Sequence, residues 1–353
     1  MHPDYLIVGA GIVGLAMAQA LLQQGARVTV LERGEAGQES SWAGGGILSP
    51  LCPWDYPDEV TRLTTYGAAL FPAWAQALHE ATGIDPEYEA SGMLVLPPPS
   101  DTGWDVEAAQ QWCAAHGVAV NSVEDGALFL PDVAQVRNPC LLRALRTRVE
   151  QLGGRIIEQC QVRDIVAGDG RVQALATSCG AFSAENYIVT AGAWSREVLG
   201  QYALQLDIRP VRGQMLLFKF DVPPLRHIVL QGDLYLIPRR DGHLLVGSTL
   251  EEAGFDKRTT VAARDDLYQR AQQVLPQLRD MPLVRHWAGL RPASPRNIPT
   301  MARHPQLDNL YLNGGHFRYG VTMAPASVEI LLNELTGAPQ PFDVAPYRAG
   351  WGV

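Results

Sequence analysis

The chain has 353 residues, of which 47 % are hydrophobic and 18 % are charged. This composition is typical of a folded protein of about two or three domains and excludes a mainly disordered chain. Lys and Arg total 28 against 37 Asp and Glu, a net charge of −9, which disfavours binding to nucleic acid or to an anionic membrane. No apolar run in the sequence reaches the ~18–20 residues of a membrane helix, so we expect no integral membrane segment.

Metal and disulfide signals are weak. The five cysteines include no C-x-x-C pair, and the eight histidines have no spacing typical of a zinc site, so we expect no metal and no disulfide framework. Asp4 stands where a secretory signal would be basic, and glycines interrupt the apolar run that follows. A cytoplasmic location is therefore the expectation.

The first 32 residues have the order strand, glycine turn, helix, strand, acid. An apolar segment over 5–8 leads into Gly9, Gly11 and Gly14, and Glu32 ends the next predicted strand. In this arrangement the glycines permit a tight turn, close approach of a pyrophosphate and close helix packing, while the acid accepts hydrogen bonds from a ribose. The pattern predicts a dinucleotide site; the alternative is a glycine-rich turn in an α/β domain without a ligand.

A second group of polar and small residues follows the acid. Ser40 and Ser41 precede the glycine run 44–46. Hydroxyls and backbone N–H groups donate to phosphate oxygens, and glycines let the backbone lie against a flat ring. This extra contact suits an extended FAD better than NAD, although a flexible loop is the alternative.

Two further strands end in glycine turns. The predicted strand 187–190 runs into Gly192, and the strand 310–313 leads through the turn 314–320 to a helix predicted over 326–335. Other helices are predicted over 60–81, 105–116, 141–152 and 266–275, and a strand region over 155–166. Apolar runs at 211–218, 235–238 and 243–249, two of them joined by Asp241-Gly242, indicate a mainly antiparallel sheet.

Two arginines in the C-terminal third of the chain lie in or near apolar and glycine-rich segments. Arg291 lies in an apolar predicted strand and Arg318 lies in the turn 314–320. An arginine among apolar residues needs a partner because it stays charged. Each side chain either forms a structural ion pair or binds a substrate carboxylate through its two parallel N–H donors.

Taken together, these motifs resemble the FAD-dependent D-amino-acid oxidase family, and within it the glycine oxidases of thiamine biosynthesis. The resemblance runs in order over nearly the whole chain. It rests on Gly9-x-Gly11-x-x-Gly14, Ser40-Ser41, Gly44-Gly45-Gly46, Ala191-Gly192-Ala193-Trp194-Ser195, Tyr235-Leu236-Ile237-Pro238-Arg239, Trp287-Ala288-Gly289-Leu290-Arg291-Pro292 and Gly315-His316-Phe317-Arg318-Tyr319-Gly320.

The resemblance implies an α/β fold (α+β overall), with a Rossmann-like FAD-binding domain and a second, mainly antiparallel β-sheet domain for substrate. We expect the first from residues 1–80, 138–207 and 285–345, and the second from 81–137 and 208–284. FAD contacts beyond Gly9, Gly11, Gly14 and Gly192 are expected at Ile12, Val13, Glu32, Arg33, Ser40, Ser41, Gly45, Gly46, Ile47, Val162, His316, Phe317, Arg318, Tyr319, Gly320, Val321 and Thr322.

The substrate residues implied are Arg291 and Arg318, which would bind the amino-acid carboxylate, and Tyr235, which would assist through its hydroxyl. Leu250 and Tyr319 replace a methionine and an asparagine of the family's glycine oxidases, which leaves the size of the substrate pocket open. Leu250 is expected beside the substrate. No cysteine follows Cys179, so the C-terminal cysteine tether of sarcosine oxidases is absent and FAD should be non-covalent.

The implied reaction is oxidative deamination of glycine, N-methylglycine or small D-amino acids. Hydride passes from the substrate Cα to the flavin, water hydrolyses the imine to an oxo acid and ammonia, and oxygen is reduced to hydrogen peroxide. Alternatives are a dehydrogenase that passes electrons to a quinone or partner protein, a dinucleotide-binding scaffold without turnover, and a tRNA-modifying flavoenzyme, which the acidic charge disfavours. The sequence leaves the oligomeric state open, a homo-oligomer included.

Overall fold

A six-stranded and an eight-stranded sheet organise the residues described by this computed structural model, 2–99 and 104–352. The strands are β1 (Tyr5–Val8), β2 (Val28–Leu31), β3 (Met93–Leu96), β4 (Asn121–Ser122), β5 (Leu128–Leu130), β6 (Arg155–Ile157), β7 (Val162–Gly168), β8 (Arg171–Thr177), β9 (Gly180–Phe182), β10 (Asn186–Val189), β11 (Arg209–Lys219), β12 (Ile228–Gln231), β13 (Leu234–Pro238), β14 (His243–Gly247), β15 (Arg285–Ala293), β16 (Thr300–Arg303) and β17 (Leu310–Gly314).

The helices are α1 (Ile12–Gln23), α2 (Ser40–Ala43), α3 (Asp58–Thr82), α4 (Val106–His116), α5 (Asn138–Gln151), α6 (Ser195–Leu199), α7 (Val261–Val274) and α8 (Gly320–Thr336). Across the two described ranges, no helix is both long and apolar enough to cross a bilayer.

The first sheet has the order β16-β17-β10-β1-β2-β6, parallel except for the edge strand β16. Side chains of β1 alternate between two cores, as the period of a strand requires. Ile7 packs in the core formed with α1, α3, α5 and α8, whereas Leu6 and Val8 face the core that includes the small sheet β7-β8-β9. The carboxyl ends of β1, β2, β10 and β17 therefore meet at one edge of a doubly covered sheet, where α/β folds bind ligands.

The second sheet has the order β15-β11-β14-β13-β12-β3-β5-β4 and is antiparallel except for β12 beside β3. Its long β11–β15 pairing aligns Val211 with Arg291. The expected fold class, a Rossmann-like part joined to a mainly antiparallel sheet, is confirmed.

Two local expectations need correction, and we propose a change to one domain boundary. The strand region 155–166 divides into β6 and β7, which belong to different sheets, because Gln159 adopts φ 55° and turns the chain between them. Helix α8 begins at Gly320, before Pro325 rather than after it. The boundary expected at 285 separates β15 from its partner β11, so we propose that the substrate domain extends to Ala293.

The contact between α3 and α8 depends on Gly67. A Cβ atom at this buried position would lie 2.2 Å from the carbonyl oxygen of Thr322. The two helices therefore approach more closely than any side chain allows, and this contact supports the first turn of α8 beneath the 314–320 loop.

We predict that Gly67→Ala destabilises the protein, by about 1–3 kcal/mol in urea unfolding, although alanine is intrinsically the better helix former by about 1 kcal/mol. Thr65→Ala, at an exposed position of the same helix, is the control and should change stability by less than about 0.5 kcal/mol. Stabilisation by Gly67→Ala would show that the helices are not in this close contact.

Candidate functional site

A cavity of about 470 Å³ lies at the carboxyl ends of the parallel strands and extends to the second sheet. It brings together most of the residues that the sequence predicted. These are Gly9, Gly11, Ile12, Val13, Glu32, Arg33, Ser40, Ser41, Gly45, Gly46, Ile47, Val162, Gly192, Tyr235, Arg291, His316, Phe317, Arg318, Tyr319, Gly320 and Val321.

Three predicted residues lie outside the cavity lining. Gly14 is a packing position, because a Cβ there would lie 1.9 Å from the Gly9 carbonyl oxygen. Thr322 is buried and donates a hydrogen bond to the Ile47 carbonyl, 3.1 Å away. The predicted substrate contact of Leu250 is not supported: the residue is 56 % exposed and does not line the cavity, although the carbonyl of the preceding Thr249 accepts from Arg291.

The first glycine turn is held by the acid and by one of the serines. The Glu32 carboxylate accepts from the N–H of Ala10 and from the N–H of Gly34, both at 2.9 Å. The N–H of Ile12 donates to Ser41 Oγ at 3.0 Å. Glu32 is only 7 % exposed, and its oxygens keep lone pairs for ribose hydroxyls. The turn is thus preformed at the N-terminus of α1, where the helix dipole favours phosphate.

The glycine run 44–46 is fixed by two residues that the sequence did not assign to the site. Asn138 Nδ2 donates to the carbonyls of Ser41 (2.7 Å) and Gly44 (3.0 Å). Arg239 donates to the carbonyls of Gly45 (2.6 Å) and Val136 (2.9 Å). Burial lowers the pKa of Arg239 to about 10. An arginine directly after an apolar strand was the available signal for such a role, since a buried arginine requires polar partners.

Arg291 projects from β15 into the cavity with only neutral partners. Its Nη2 donates to Ser248 Oγ at 2.6 Å, and its Nη1 donates to the Thr249 carbonyl at 3.1 Å. Gly213 makes room for it, since a Cβ there would lie 2.1 Å from Nη1. Burial lowers the pKa of the guanidinium, Tyr235 opposes this shift, and Arg318 adds to it.

Neither Arg291 nor Arg318 has a carboxylate within ion-pair distance among residues 2–99 and 104–352. Of the two alternatives that the sequence left open for Arg291, the structural ion pair therefore has no support in the described part of the chain. A positive charge without an acidic partner at a cavity wall is suited to an anionic ligand.

A polar network behind Arg291 holds the Thr249 carbonyl in place. Glu251 accepts from Thr249 Oγ1 (2.5 Å), Gln214 Nε2 (2.8 Å) and Arg212 Nη2 (2.5 Å). Arg212 is 8 % exposed and Gln214 is fully buried. This carboxylate compensates Arg212 and leaves the charge of Arg291 uncompensated. No sequence motif indicated the network, because its members come from β11 and from the segment after β14.

The cavity residues fit a flavin dinucleotide. Gly46 lines the cavity with bare backbone, because a Cβ there would lie 2.2 Å from the Val136 carbonyl oxygen and the position excludes a side chain. Three buried polar atoms of lining residues have no hydrogen-bond partner among the described residues: Asn313 Oδ1, His316 Nε2 and the Tyr319 hydroxyl. Buried polar atoms are normally satisfied, so a bound molecule with donors and acceptors would complete this site.

Comparison with known proteins agrees with this geometry. A family profile described as "FAD dependent oxidoreductase" matches residues 4–333. The chain belongs to this family. The family resemblance inferred from the motifs is thereby confirmed, and with it the expectation that the protein uses FAD.

Full-length relatives carry a more specific name. The chain is 42 % identical to a glycine oxidase of Pseudomonas aeruginosa and 39 % identical to one of Pseudomonas putida, covering 98 % of each chain in both comparisons. It is also similar to the crystal structure of glycine oxidase from Geobacillus kaustophilus, with a TM-score of 0.94, 27 % identity and 98 % coverage of both chains.

We predict that Glu32→Ala weakens FAD binding roughly tenfold or more, because a charge-assisted hydrogen bond contributes about 1.5–3 kcal/mol. The measurement is the flavin released on dilution, followed by fluorescence. Glu35→Ala, at an exposed position nearby, is the control and should retain FAD like the wild type. Equal retention by Glu32→Ala would contradict the ribose role.

The buried His316 ring should make stability depend on pH. Burial lowers its pKa from 6.5 to about 4, so the folded protein holds the ring neutral. Between pH 6.5 and 4 the unfolded chain takes up a proton that the folded protein does not, and the free energy of unfolding falls as the pH is lowered.

We predict that in His316→Gln the free energy of unfolding falls less between pH 6.5 and pH 4 than in the wild type, by up to about 3 kcal/mol. The measurement is urea unfolding of the flavin-loaded protein. His79→Gln, at an exposed position of α3, should leave the pH profile as it is in the wild type. An unchanged profile in His316→Gln would show that the ring is not held neutral.

Proposed function

We propose that this protein is a glycine oxidase that deaminates glycine, and also N-methylglycine or small D-amino acids, to the oxo acid, ammonia and hydrogen peroxide. The observation that carries the proposal is the Arg291 guanidinium, which lines the cavity and has only neutral hydrogen-bond partners. A scaffold that merely holds a dinucleotide has no need of such a group. The names of the full-length relatives support the same activity.

Substrate binding is the task of Arg291, Arg318 and Tyr235. The two donors of the Arg291 fork match the two oxygens of a carboxylate, and Arg318 adds a second positive charge. The Tyr235 ring is sandwiched against Gly247 and Gly45, where Cβ atoms would lie 2.8 and 3.3 Å from its ring carbons. Its hydroxyl donates a long hydrogen bond to the Met215 sulfur, at 3.8 Å, and lies beside the Arg291 guanidinium, whose pKa it helps to raise, so it faces the position where a substrate carboxylate would bind.

Bound FAD supplies the hydride acceptor for the Cα–H bond of the substrate. The side chains orient that bond and exclude water, which are the contributions that positioning makes to rate. Two of the acids that line the cavity are already engaged. Glu32 accepts from the Ala10 and Gly34 N–H groups, and Glu39 accepts from Arg33 (2.7 Å) and Lys257 (3.0 Å). We propose that the substrate amine enters as its free base.

A place in thiamine biosynthesis is part of the proposal. The chain is 31 % identical to a bifunctional ThiO/ThiG protein of Trichormus variabilis, covering 94 % of this chain and 52 % of that one. A deaminating enzyme of this type would provide the imine or oxo acid for thiazole formation. Oxygen is the proposed electron acceptor.

The proposed activity is tested by adding excess glycine to the purified yellow protein without oxygen. We expect the visible flavin absorbance to bleach, and readmitted oxygen to restore it with formation of peroxide. A flavin-loaded protein that glycine does not bleach would reject glycine as a substrate.

We predict that Arg291→Ala lowers kcat/KM for glycine by about 30-fold to several thousandfold, because losing one member of a buried charged pair costs roughly 2–5 kcal/mol. Arg291→Lys should also lose activity, since a single ammonium cannot reproduce the planar fork. FAD content, measured from the absorbance spectrum, should stay at the wild-type level. Unchanged kcat/KM in both variants would contradict the carboxylate role.

A further inference from the structure

Tyr319 is a cavity-lining residue whose buried hydroxyl group has no well-formed hydrogen bond to the described protein. The residue precedes α8, lines the cavity and is 3 % exposed. Its hydroxyl lies near the Tyr56 hydroxyl and the Leu51 backbone N–H, but it forms no hydrogen bond of good geometry with either of them or with any other group among residues 2–99 and 104–352. Leaving a buried hydroxyl unsatisfied is unfavourable, so the geometry indicates that a bound molecule supplies the partner.

The ring of Tyr319 is held rigidly from behind. It meets Tyr56 edge to face, with ring centroids 5.0 Å apart and planes at 85°. Both rings belong to the hydrophobic cluster with Val60, Leu63 and Met323, which joins α3 to α8. A ring packed in this way cannot swing aside to admit a larger ligand, because core side chains are close-packed.

The charges beside Tyr319 indicate the class of that molecule. Arg318 is its neighbour in the chain, and Arg291 and Arg318 line the same cavity as Tyr319. Burial raises the pKa of the Tyr319 hydroxyl well above its ordinary range, as does nearby Tyr56, whereas Arg318 acts against this shift. The hydroxyl is therefore a proton donor at physiological pH, next to positive charges that need an anion.

We propose that Tyr319 is a specificity-determining residue of the substrate site. Its hydroxyl donates a hydrogen bond to the carboxylate bound by Arg291 and Arg318, and its ring forms the wall that limits the substituent on the substrate Cα. This inference rests on the proposed function, because it assigns the substrate class as α-amino acids with no side chain or a very small one.

The test uses the flavin-loaded protein and acetate, a carboxylate that has no amine and cannot be deaminated. Acetate is titrated without oxygen, and its dissociation constant is obtained from the perturbation of the flavin spectrum. We expect Tyr319→Phe, which keeps the ring, to raise this constant about ten- to hundredfold. The half-saturating glycine concentration for bleaching should rise by a similar factor, with FAD content unchanged.

The size limit is tested with Tyr319→Leu, which shortens the wall without inserting a polar group. We expect the ratio of kcat/KM for glycine to that for D-leucine to fall at least about tenfold, as removal of a steric barrier of this size allows. Tyr66→Phe is the control: Tyr66 lies in the same cluster but bonds to Glu329 and does not line the cavity. It should leave the acetate constant and the ratio unchanged.

Three results would overturn the inference. The first is an unchanged dissociation constant for acetate in Tyr319→Phe. The second is a Tyr319→Phe variant that loses FAD while its affinity for acetate stays the same. The third is a wild-type protein that binds no acetate. A wild-type protein that binds acetate but is not bleached by glycine refutes the proposed function alone. In that case the acetate titration of Tyr319→Phe still decides whether its hydroxyl binds carboxylate.

Discussion

The uncompensated charge of Arg291 is the constraint on which the organisation of the cavity depends. A guanidinium stays charged in any protein environment, so the surrounding chain must solvate it without neutralising it. The Ser248 hydroxyl and the Thr249 carbonyl accept its hydrogen bonds and carry no negative charge. Gly213 leaves room for the guanidinium, which a Cβ atom at that position would displace. Glu251 lies nearby, but its carboxylate already accepts hydrogen bonds from Arg212 and Gln214. The charge is thus reserved for a ligand.

The parts of the site that are formed by residues close together in the sequence could be predicted, because short-range steric and hydrogen-bonding constraints determine their geometry. A strand, a glycine turn and a helix within a few residues determine where Gly9, Gly11 and Gly14 lie, and the acid follows at the end of the next strand. Apolar runs likewise predicted most strands, and apolar residues at helical spacing predicted most helices. Helix α8 was predicted too short because Pro325 suggests a helix start, whereas the helix tolerates it one turn after beginning at Gly320.

The parts that could not be predicted depend on contacts between distant segments. Asn138 bonds to the glycine run from about a hundred residues further along the sequence, and Arg239 bonds to it from 194 residues further along. No periodicity records such pairings. Leu250 shows the same limit. The resemblance implied a substrate contact at this position, whereas its exposure depends on the path of the chain after β14. The family resemblance named most of the residues that line the cavity, but not the contacts that hold them in place.

The hydrogen bond from Arg239 to the Gly45 carbonyl has a consequence for how the protein is made. The glycine run leaves the ribosome early, but the side chain that fixes it follows 194 residues later, and the turn 316–320 that completes the cavity comes later still. A nascent chain therefore has the phosphate-binding turn long before it has a flavin pocket. Cofactor capture belongs to the end of synthesis, when the two sheets have docked.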